Sequence, residues 1–283
     1  MAVSSARIAG RRVGNAVFVG ACVLVTVLAL AALAAILWSL ASQGVGGLNL
    51  AVFTKSTPAP GSPGGLANAI VGSIMLGLLA MAIAVVIGIL AGTWLAEYAG
   101  DSRYGSAVRF LNDVLLSAPS ILVGLFVYEI LVAPFGGFSG LAGGVALALL
   151  AAPVITRTTE DVLKLQATAL REAGVALGTP VWRVIGKILW RSGASGIITG
   201  ALLAFARISG ETAPLLFTAL NNQFFSLDMT KPMANLPVVI FQFALSAYDD
   251  WRRLAWAGAL IIAVSVLGVT IIARILSQEQ KRS

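Results

Sequence analysis

Long, nearly uninterrupted apolar stretches alternate with short polar segments along this 283-residue chain. A helix that crosses a bilayer needs about 20 mostly apolar residues, because the hydrocarbon core is roughly 30 Å thick. Six stretches meet this requirement, at 16–41, 69–96, 113–132, 141–156, 195–220 and 255–275. The fourth is short, so we expect the residues up to Asp161 to extend it. The pattern predicts an all-α integral membrane protein with six transmembrane helices.

Lysine and arginine residues gather on one side of the predicted spans. Of the 19 in the chain, fourteen lie in the two termini and in the second-to-third and fourth-to-fifth connections, and four lie on the other side. The last, Arg207, lies inside the fifth span. Basic loops stay in the cytoplasm, so both termini are expected there. Residues 1–15 are then a cytoplasmic N-terminal segment, and residues 16–283 form one membrane domain.

The outer connections carry little charge. Residues 44–66 are rich in Gly, Pro and Ser, which is typical of a turn-forming linker. Residues 221–253 are the longest extracytoplasmic loop, and its part 236–248 is apolar. That part is predicted either as a short helix lying in the membrane interface or as a re-entrant element buried in protein.

Composition excludes several kinds of chemistry. Apolar residues make up 58% of the chain and charged residues 11%, against roughly 25% charged residues in soluble domains. There is no histidine and one cysteine, Cys22, so an internal disulfide, a histidine-ligated metal site and histidine-based catalysis are excluded. We expect no metal and no cofactor. We also expect no nucleic-acid partner, because the positive charges lie in short loops beside apolar runs.

The basic loop at 157–192 carries the clearest local pattern. Apolar residues recur at helical spacing before Gly178, which can end a helix in a left-handed conformation. Thr179 is then expected as the N-cap of a second helix, with Pro180 at its first position. Physical reasoning alone favours a charged surface loop or an amphipathic pair resting on the membrane. A rigid helix–bend–helix that contacts a partner protein is the alternative.

The same loop resembles the EAA motif of ABC-importer permeases. Glu172, Ala173 and Gly174 stand at its Glu-Ala-Ala positions, and Gly178 and Ile188 keep its spacing. Gly174 replaces the second Ala, and Trp190-Arg191 replace the usual Leu-Pro. In that family the loop is the coupling helix that docks on an ATPase subunit. The resemblance therefore implies ATPase coupling through Glu172, Ala173, Gly174 and Gly178.

Residues 204–219 read Ala-Phe-Ala-Arg-Ile-Ser-Gly-Glu-Thr-Ala-Pro-Leu-Leu-Phe-Thr-Ala, and they resemble the phosphate ABC-transporter permeases of the PstA family. Residues 88–98, 118–125, 230–237 and 250–256 resemble the same family. This implies the type I ABC-importer permease fold and a non-catalytic membrane subunit. The implied partners are two copies of an ATPase subunit, a second homologous permease, an extracytoplasmic phosphate-binding protein and membrane lipids. The chain has no Gly-x-x-x-x-Gly-Lys-Ser/Thr loop, so ATP hydrolysis is expected on a partner.

Arg207 and Glu211 are candidate residues of the substrate pathway. A charge inside a span costs roughly 2.5–3.5 kcal/mol on insertion scales, and such residues are usually functional. In a continuous helix Glu211 would lie one turn after Arg207, so the two could pair. An arginine partly neutralised by a glutamate suits an anion that must enter and leave. The alternative is a structural ion pair that sets helix packing.

Arg157, at the end of the fourth span, has two interpretations. It is either an ordinary positive anchor beside the membrane or, by the resemblance, a second positive group on the phosphate path. Asp113 and Glu129 flank the third span and are expected at the interface or at a subunit contact. Two other functions remain open: a permease for another oxyanion, such as sulfate, molybdate or phosphonate, and a secondary transporter that acts alone.

Overall fold

The structure is a computed structural model that describes the backbone of residues 5–279 and the side chains of residues 10–275. The predicted cytoplasmic charges of Arg7, Lys281 and Arg282 lie outside the described side chains. Helices account for nearly all of the described chain, and no strand occurs within it. The helices are α1 (Ser5–Gly47), α2 (Leu50–Thr54), α3 (Ala67–Glu97), α4 (Arg103–Ser117), α5 (Ser120–Val127), α6 (Gly140–Lys164), α7 (Thr168–Ala176), α8 (Val181–Val184), α9 (Trp190–Ser192), α10 (Ala194–Ile208), α11 (Ala213–Thr218), α12 (Leu236–Ala244) and α13 (Asp249–Glu279).

Four of the predicted spans are continuous helices, namely α1, α3, α6 and α13. Within the described residues, five helical stretches are long and apolar enough to cross a membrane, and there are six when the bent pair of α4 and α5 is counted as one span. This confirms the predicted all-α architecture with six spans. We call the end of the molecule where α3 and α6 finish and α7 begins the basic end, and the other the opposite end.

The centre of the fold is the packing of α3 along α6. The two backbones approach closely because α3 carries glycines at the contact. A Cβ on Gly88 would lie 2.7 Å from Cβ of Ile155, and one on Gly92 would lie 2.5 Å from the carbonyl oxygen of Thr156. Helix α10 packs on the same face of the bundle, where Gly200 meets Thr158. Small residues at such contacts let helices pack tightly without a hydrophobic driving force.

The third span is not the continuous helix predicted for 113–132. Helices α4 and α5 meet at an angle of 105°. Pro119 has no N–H to donate, and the residue before a proline is driven out of the helical region. Ala118 accordingly has φ −64° and ψ 137°. Helix α4 therefore lies against the basic ends of α3 and α6, and α5 continues through a π-helical stretch, Tyr128–Val132.

The fifth span also differs from the prediction of 195–220. Helix α10 ends at Ile208, and α11 begins only at Ala213. Pro214 cannot donate to a carbonyl four residues earlier, so a continuous helix would lose a hydrogen bond there. At the basic end the helix starts earlier than predicted, because α8, a π-helical stretch and α9 lead into α10 as one span from Val181 to Ile208.

The opposite end is closed by polar contacts between loops. Asn68 is buried, and its amide donates to the Thr57 hydroxyl at 2.9 Å and to the Asn222 carbonyl at 2.8 Å. The apolar segment of the 221–253 loop is the helix α12, whose residues Leu236–Val239 and Phe243 are buried against α3 and α13. Of the two predicted alternatives for this segment, burial in protein is the feature that agrees with the structure.

Helix α1 stands apart from the bundle. Its described side chains are exposed along most of their length, and it contacts α13 near its last turn, where Gly44 meets Leu260. Large apolar side chains such as Trp38, 76% exposed, cover its surface. A helix that is apolar all round is stable only in lipid or against another protein.

Candidate functional site

Arg207 and Glu211 lie on either side of the break between α10 and α11. Arg207 is the second-last residue of α10, and Glu211 lies in the non-helical connection that follows. The prediction that the two share one helical face and pair is therefore wrong for this conformation. The helix that would have aligned them stops at Ile208, ahead of Pro214. Their side chains do not come within ion-pairing distance of each other.

Arg207 is exposed, and Glu211 is half-buried. Neither side chain forms a hydrogen bond or an ion pair with any residue that the structure describes; Glu211 is held only through its backbone N–H, which donates to the Ile208 carbonyl at 3.2 Å. Ile208 itself is buried, so the end of α10 is anchored by packing while the neighbouring guanidinium is free. An unpaired guanidinium at a helix break can bind an anion without first giving up a carboxylate.

Arg157 is placed differently, on α6 near its basic end. Its guanidinium lies 3.3 Å from the Asp161 carboxylate and 4.0 Å from that of Asp113. All three side chains are about half exposed. Asp113 therefore joins the site as a partner of Arg157, whereas Glu129 is exposed in the π-helical stretch after α5.

The two arginines do not form one cluster. Thr158, next to Arg157, packs on Gly200 of α10. Arg207 lies seven residues further along α10, which is roughly 10 Å at 1.5 Å per residue. No hydrogen bond or ion pair joins Arg157 to Arg207 among the described contacts.

The predicted helix–bend–helix of the basic loop is present. Helix α7 ends at Ala176, and Gly178 has φ +74°. The N–H of Thr179 donates to the Gly174 carbonyl at 3.2 Å, and that of Gly178 to the Val175 carbonyl at 2.9 Å. These two bonds form a Schellman motif, in which only glycine adopts the left-handed position without strain. The N-cap of the next helix is Pro180 instead of the predicted Thr179, because the helix starts one residue later.

The substitution of Gly174 within the EAA pattern has a local reason. Gly174 is buried, and a Cβ there would lie 2.8 Å from Cγ2 of Val184. The two halves of the loop therefore touch directly across the bend. Glu172 and Ala173, by contrast, are exposed.

We give the name coupling face to five exposed residues of this loop, four of them apolar. It comprises Leu170, Glu172, Ala173, Leu177 and Trp182. Leu177 is 85% exposed and Trp182 63%. The Arg183 guanidinium lies 4.9 Å from the centre of the Trp182 ring. Large apolar and aromatic side chains exposed on a rigid bend are typical of a protein-binding surface.

Two arginine–glutamate pairs at the basic end were missed by the sequence reasoning. Arg171 pairs with Glu97 at 2.6 Å, and Arg109 pairs with Glu160 at 2.7 Å. Glu97 raises the pKa of the Arg171 guanidinium, first by hydrogen bonding and then by its charge. The sequence pattern that could have predicted these pairs is a glutamate near the C-terminal end of each of two spans. Because the helix dipole disfavours negative charge there, each glutamate needs a cationic partner.

No group of three potential metal ligands occurs among the described residues. A cavity of about 140 Å³ lies between α3, α10, α12 and α13, and its walls are almost entirely apolar. Arg207, Glu211 and Arg157 are not among its lining residues. The cavity suits neither a metal nor a small charged substrate.

Comparison with known proteins supplies the family. Residues 84–282 match the family described as "Binding-protein-dependent transport system inner membrane component". The chain is 56% identical over 247 residues to a phosphate transport system permease protein PstA of Yersinia pestis, covering 87% of this chain and 84% of that protein. It is 51% identical over 271 residues to the PstA of Haemophilus influenzae, covering 96% of each. A chain of the MetNI methionine ABC transporter in an inward-facing conformation has a similar fold, with a TM-score of 0.59 and 18% identity over 76% of this chain and 93% of that one.

Proposed function

This chain belongs to the family of binding-protein-dependent transport permeases, and within it to the phosphate transport system permeases named PstA. We propose that it is the transmembrane permease subunit of an ATP-driven importer of inorganic phosphate in the cell inner membrane. The observation that carries this proposal is the 51% identity that extends over 96% of both chains. Fold alone would not suffice, because one fold hosts many substrates.

The α10–α11 break is our candidate for the part of the pathway that meets the anion. An unpaired, exposed Arg207 would cost roughly 2.5–3.5 kcal/mol or more against hydrocarbon. It must therefore face water or another subunit. Phosphate carries one to two negative charges and needs a weak positive site that it can also leave. In this proposal Arg207 supplies the charge, and Arg157 on α6, shared between two carboxylates, is a second positive group. Glu211 lies in the connection that follows α10 and is the third candidate residue.

The coupling face is our candidate for the ATPase contact. It is exposed, apolar at Leu177 and Trp182, and held on a bend that Gly178 and the Gly174–Val184 contact make rigid. A rigid protrusion can transmit a displacement, whereas a flexible loop would absorb it. ATP hydrolysis then resides on two ATPase subunits, one under this chain and one under its partner permease.

A second, homologous permease completes the pathway in this proposal. The described part of the chain leaves Arg207 open on one side, and it also leaves large apolar side chains exposed on α4 and α5, such as Phe110 and Phe126. The partner permease would cover the open side of Arg207 and pack against the exposed apolar side chains of α4 and α5. The remaining apolar surface, including that of α1, contacts membrane lipids or the partner.

The orientation follows from the basic end. In this proposal the basic end, both termini and the 157–192 loop lie in the cytoplasm, which the excess of lysines and arginines in these segments supports. The 221–253 loop and the residues that Asn68 binds then lie outside, where an extracytoplasmic phosphate-binding protein delivers its ligand. ATP binding closes the ATPase subunits, moves α7, and reorients the helices around Arg207 between inward and outward access.

The proposal is tested by reconstitution of this chain with its sister permease, ATPase and binding protein in lipid vesicles. We expect labelled phosphate to accumulate only when ATP and the binding protein are present. Transport of sulfate, molybdate or phosphonate in place of phosphate would identify another oxyanion as the substrate. Uptake by this chain alone, without ATP, would identify a secondary transporter.

A further inference from the structure

A single guanidinium joins three helices at the basic end of the bundle. Arg171, on α7, donates to both oxygens of Glu97, from Nη2 at 2.6 Å and from Nε at 2.9 Å. It also donates to the carbonyls of Leu163 and Gln166, at 2.7 and 2.8 Å. Glu97 ends α3, and the two carbonyls lie at the end of α6. One side chain of the coupling loop thus holds the ends of the two helices that form the centre of the fold.

The geometry makes Glu97 dependent on this contact. Its side chain is 7% exposed and lies at a helix C-terminus, where the dipole opposes a negative charge. The Leu163 carbonyl lies in the last turn of α6 and also accepts the backbone N–H of Gln166 at 3.1 Å, and Gln166 follows the end of the helix. Arg171 donates to Glu97 and to both carbonyls through a planar fork of donors that fits a carboxylate.

Helix α7 has a second, separate attachment. Gly174 packs against Val184, which leads through α8 and α9 into α10. The direct chain link from α6 to α7 is short and non-helical, Leu165 to Ala167, and Leu165 is 84% exposed. Packing therefore connects α7 to the span of residues 181–208. That span packs on Leu163 of α6 and is bonded to α3 by Trp190, whose ring N–H donates to the Thr93 hydroxyl at 3.1 Å. Arg171 adds the direct polar link from α7 to the ends of α3 and α6.

We propose that Arg171 and Glu97 are positioning residues that make α3 and α6 follow the coupling helix when an ATPase subunit moves it. This rests on the proposed coupling role of α7. Without the pair, a displaced α7 would act on α3 and α6 only indirectly, through the Gly174–Val184 contact and the packing of residues 181–208 on α6. Less of each displacement would then reach α3 and α6 for every ATP hydrolysed.

Lysine cannot replace arginine in this role. The four hydrogen bonds diverge from one planar group toward two carboxylate oxygens and two carbonyls, whereas an ammonium is a compact charge without a planar fork. Arg171→Lys thus keeps the charge of the loop and removes the set of hydrogen bonds that joins α7 to the ends of α3 and α6. Arg103, exposed at the start of α4 and without a described hydrogen bond or ion pair, provides the matched control as Arg103→Lys.

The experiment measures phosphate transported per ATP hydrolysed by the complete importer in lipid vesicles. Four variants are compared with the wild type: Arg171→Lys, Glu97→Gln, the double variant and Arg103→Lys. We expect the first three to assemble with the ATPase and to hydrolyse ATP, with the transported-to-hydrolysed ratio reduced roughly fivefold, as expected of residues that couple sites without touching a ligand. The ratio of the double variant should equal that of each single variant, because either single change already removes the Arg171–Glu97 interaction.

Each alternative outcome contradicts the proposal. An unchanged ratio in Arg171→Lys and Glu97→Gln would show that α3 and α6 follow α7 without the pair. Parallel loss of hydrolysis and transport, or failure of Arg171→Lys to assemble, would make the pair a folding or docking element instead. The wild-type complex distinguishes failure of this proposal from failure of the proposed function. If the wild-type complex does not transport phosphate, the proposed function is wrong, whatever the variants do.

Discussion

Arg109 and Glu160 form an ion pair of 2.7 Å that joins α4 to α6, with the Glu160 side chain only 2% exposed. The same carboxylate oxygen accepts from Lys164 at 2.6 Å. The Arg109 guanidinium also donates to the carbonyls of Leu95 and Gly100, at 3.0 and 3.1 Å. It therefore ties the end of α3 to the other two helices, and it fixes α4 beyond the break at Pro119.

Glu160→Gln should destabilise the chain strongly. The variant leaves Arg109, whose side chain is 20% exposed, without its carboxylate. Breaking a buried pair on one side costs about 3–5 kcal/mol. We expect a clearly lower unfolding temperature in detergent and less chain in the membrane. Asp161→Asn is the matched control, because its ion pair with Arg157 is half exposed and such pairs contribute about 0–1 kcal/mol. Equal stability of the two variants would contradict this prediction.

Gly174→Ala should weaken the rigid bend although it restores the usual residue of the EAA pattern. Its new Cβ would lie 2.8 Å from Cγ2 and 3.0 Å from Cγ1 of Val184. Such overpacking costs about 1–3 kcal/mol. We expect reduced co-purification of the ATPase. The double variant Gly174→Ala/Val184→Ala removes both clashing methyl groups and should recover it; a double variant as impaired as the single one would refute the steric explanation.

Glu172→Arg should interfere with ATPase docking and leave the chain itself intact. Glu172 is exposed and has no described partner in this chain, so its loss costs little stability. In the coupling face, the reversed charge would meet whatever basic group the ATPase places there. We expect normal membrane levels and at least a roughly tenfold loss of bound ATPase, since truncating interfacial charge contacts costs about 2 kcal/mol or more. Asp101→Arg, also exposed at the basic end, should bind the ATPase normally.

Arg207→Gln should abolish phosphate uptake without harming assembly. Because Arg207 makes no ion pair with any described residue, its neutralisation leaves no buried partner charge behind, in contrast to Glu160→Gln. We expect wild-type levels of complex and loss of labelled phosphate uptake in cells. Arg103→Gln, the same change at an exposed arginine, should transport normally.

The double variant Arg207→Gln/Glu211→Gln distinguishes a pathway role from a packing role. If Arg207 serves the anion, the double variant stays inactive, since removing Glu211 does not restore a positive charge. If the two residues pair structurally in another conformation, removing both charges should recover assembly and uptake together. Recovered phosphate uptake in the double variant would show that Arg207 is not a residue of the substrate pathway.

The continuous spans and the bend of the basic loop were predicted correctly, because each depends on residues that are close together in the chain. The spans α1, α3, α6 and α13 follow from uninterrupted apolar length, because a bilayer leaves a chain few alternatives to a helix. The left-handed Gly178 follows from the same kind of reasoning, since the backbone at a Schellman motif requires it. The family resemblance, carried by residues 204–219 and the EAA pattern, agrees with the comparisons.

The sequence misled where a helix was assumed to continue through a proline. Pro119 is the N-cap of α5 and Pro214 lies in the first turn of α11, and at both places the predicted span is divided into two pieces. Transmembrane helices often tolerate proline, because neighbouring groups satisfy the freed carbonyl. Whether a given proline bends a span or ends it is therefore set by its neighbours. The predicted Arg207–Glu211 pair failed for this reason.

The membrane class, the number of apolar spans, the position of the rigid bend and the family could all be predicted from the amino-acid sequence. These depend on composition, on periodicity and on residues close together in the chain. Only the tertiary structure decided that Glu97 meets Arg171, 74 positions later, and that Glu160 meets Arg109. The physical reason is that a buried carboxylate requires a cationic partner, but which arginine reaches it depends on how three helices end at one place in space.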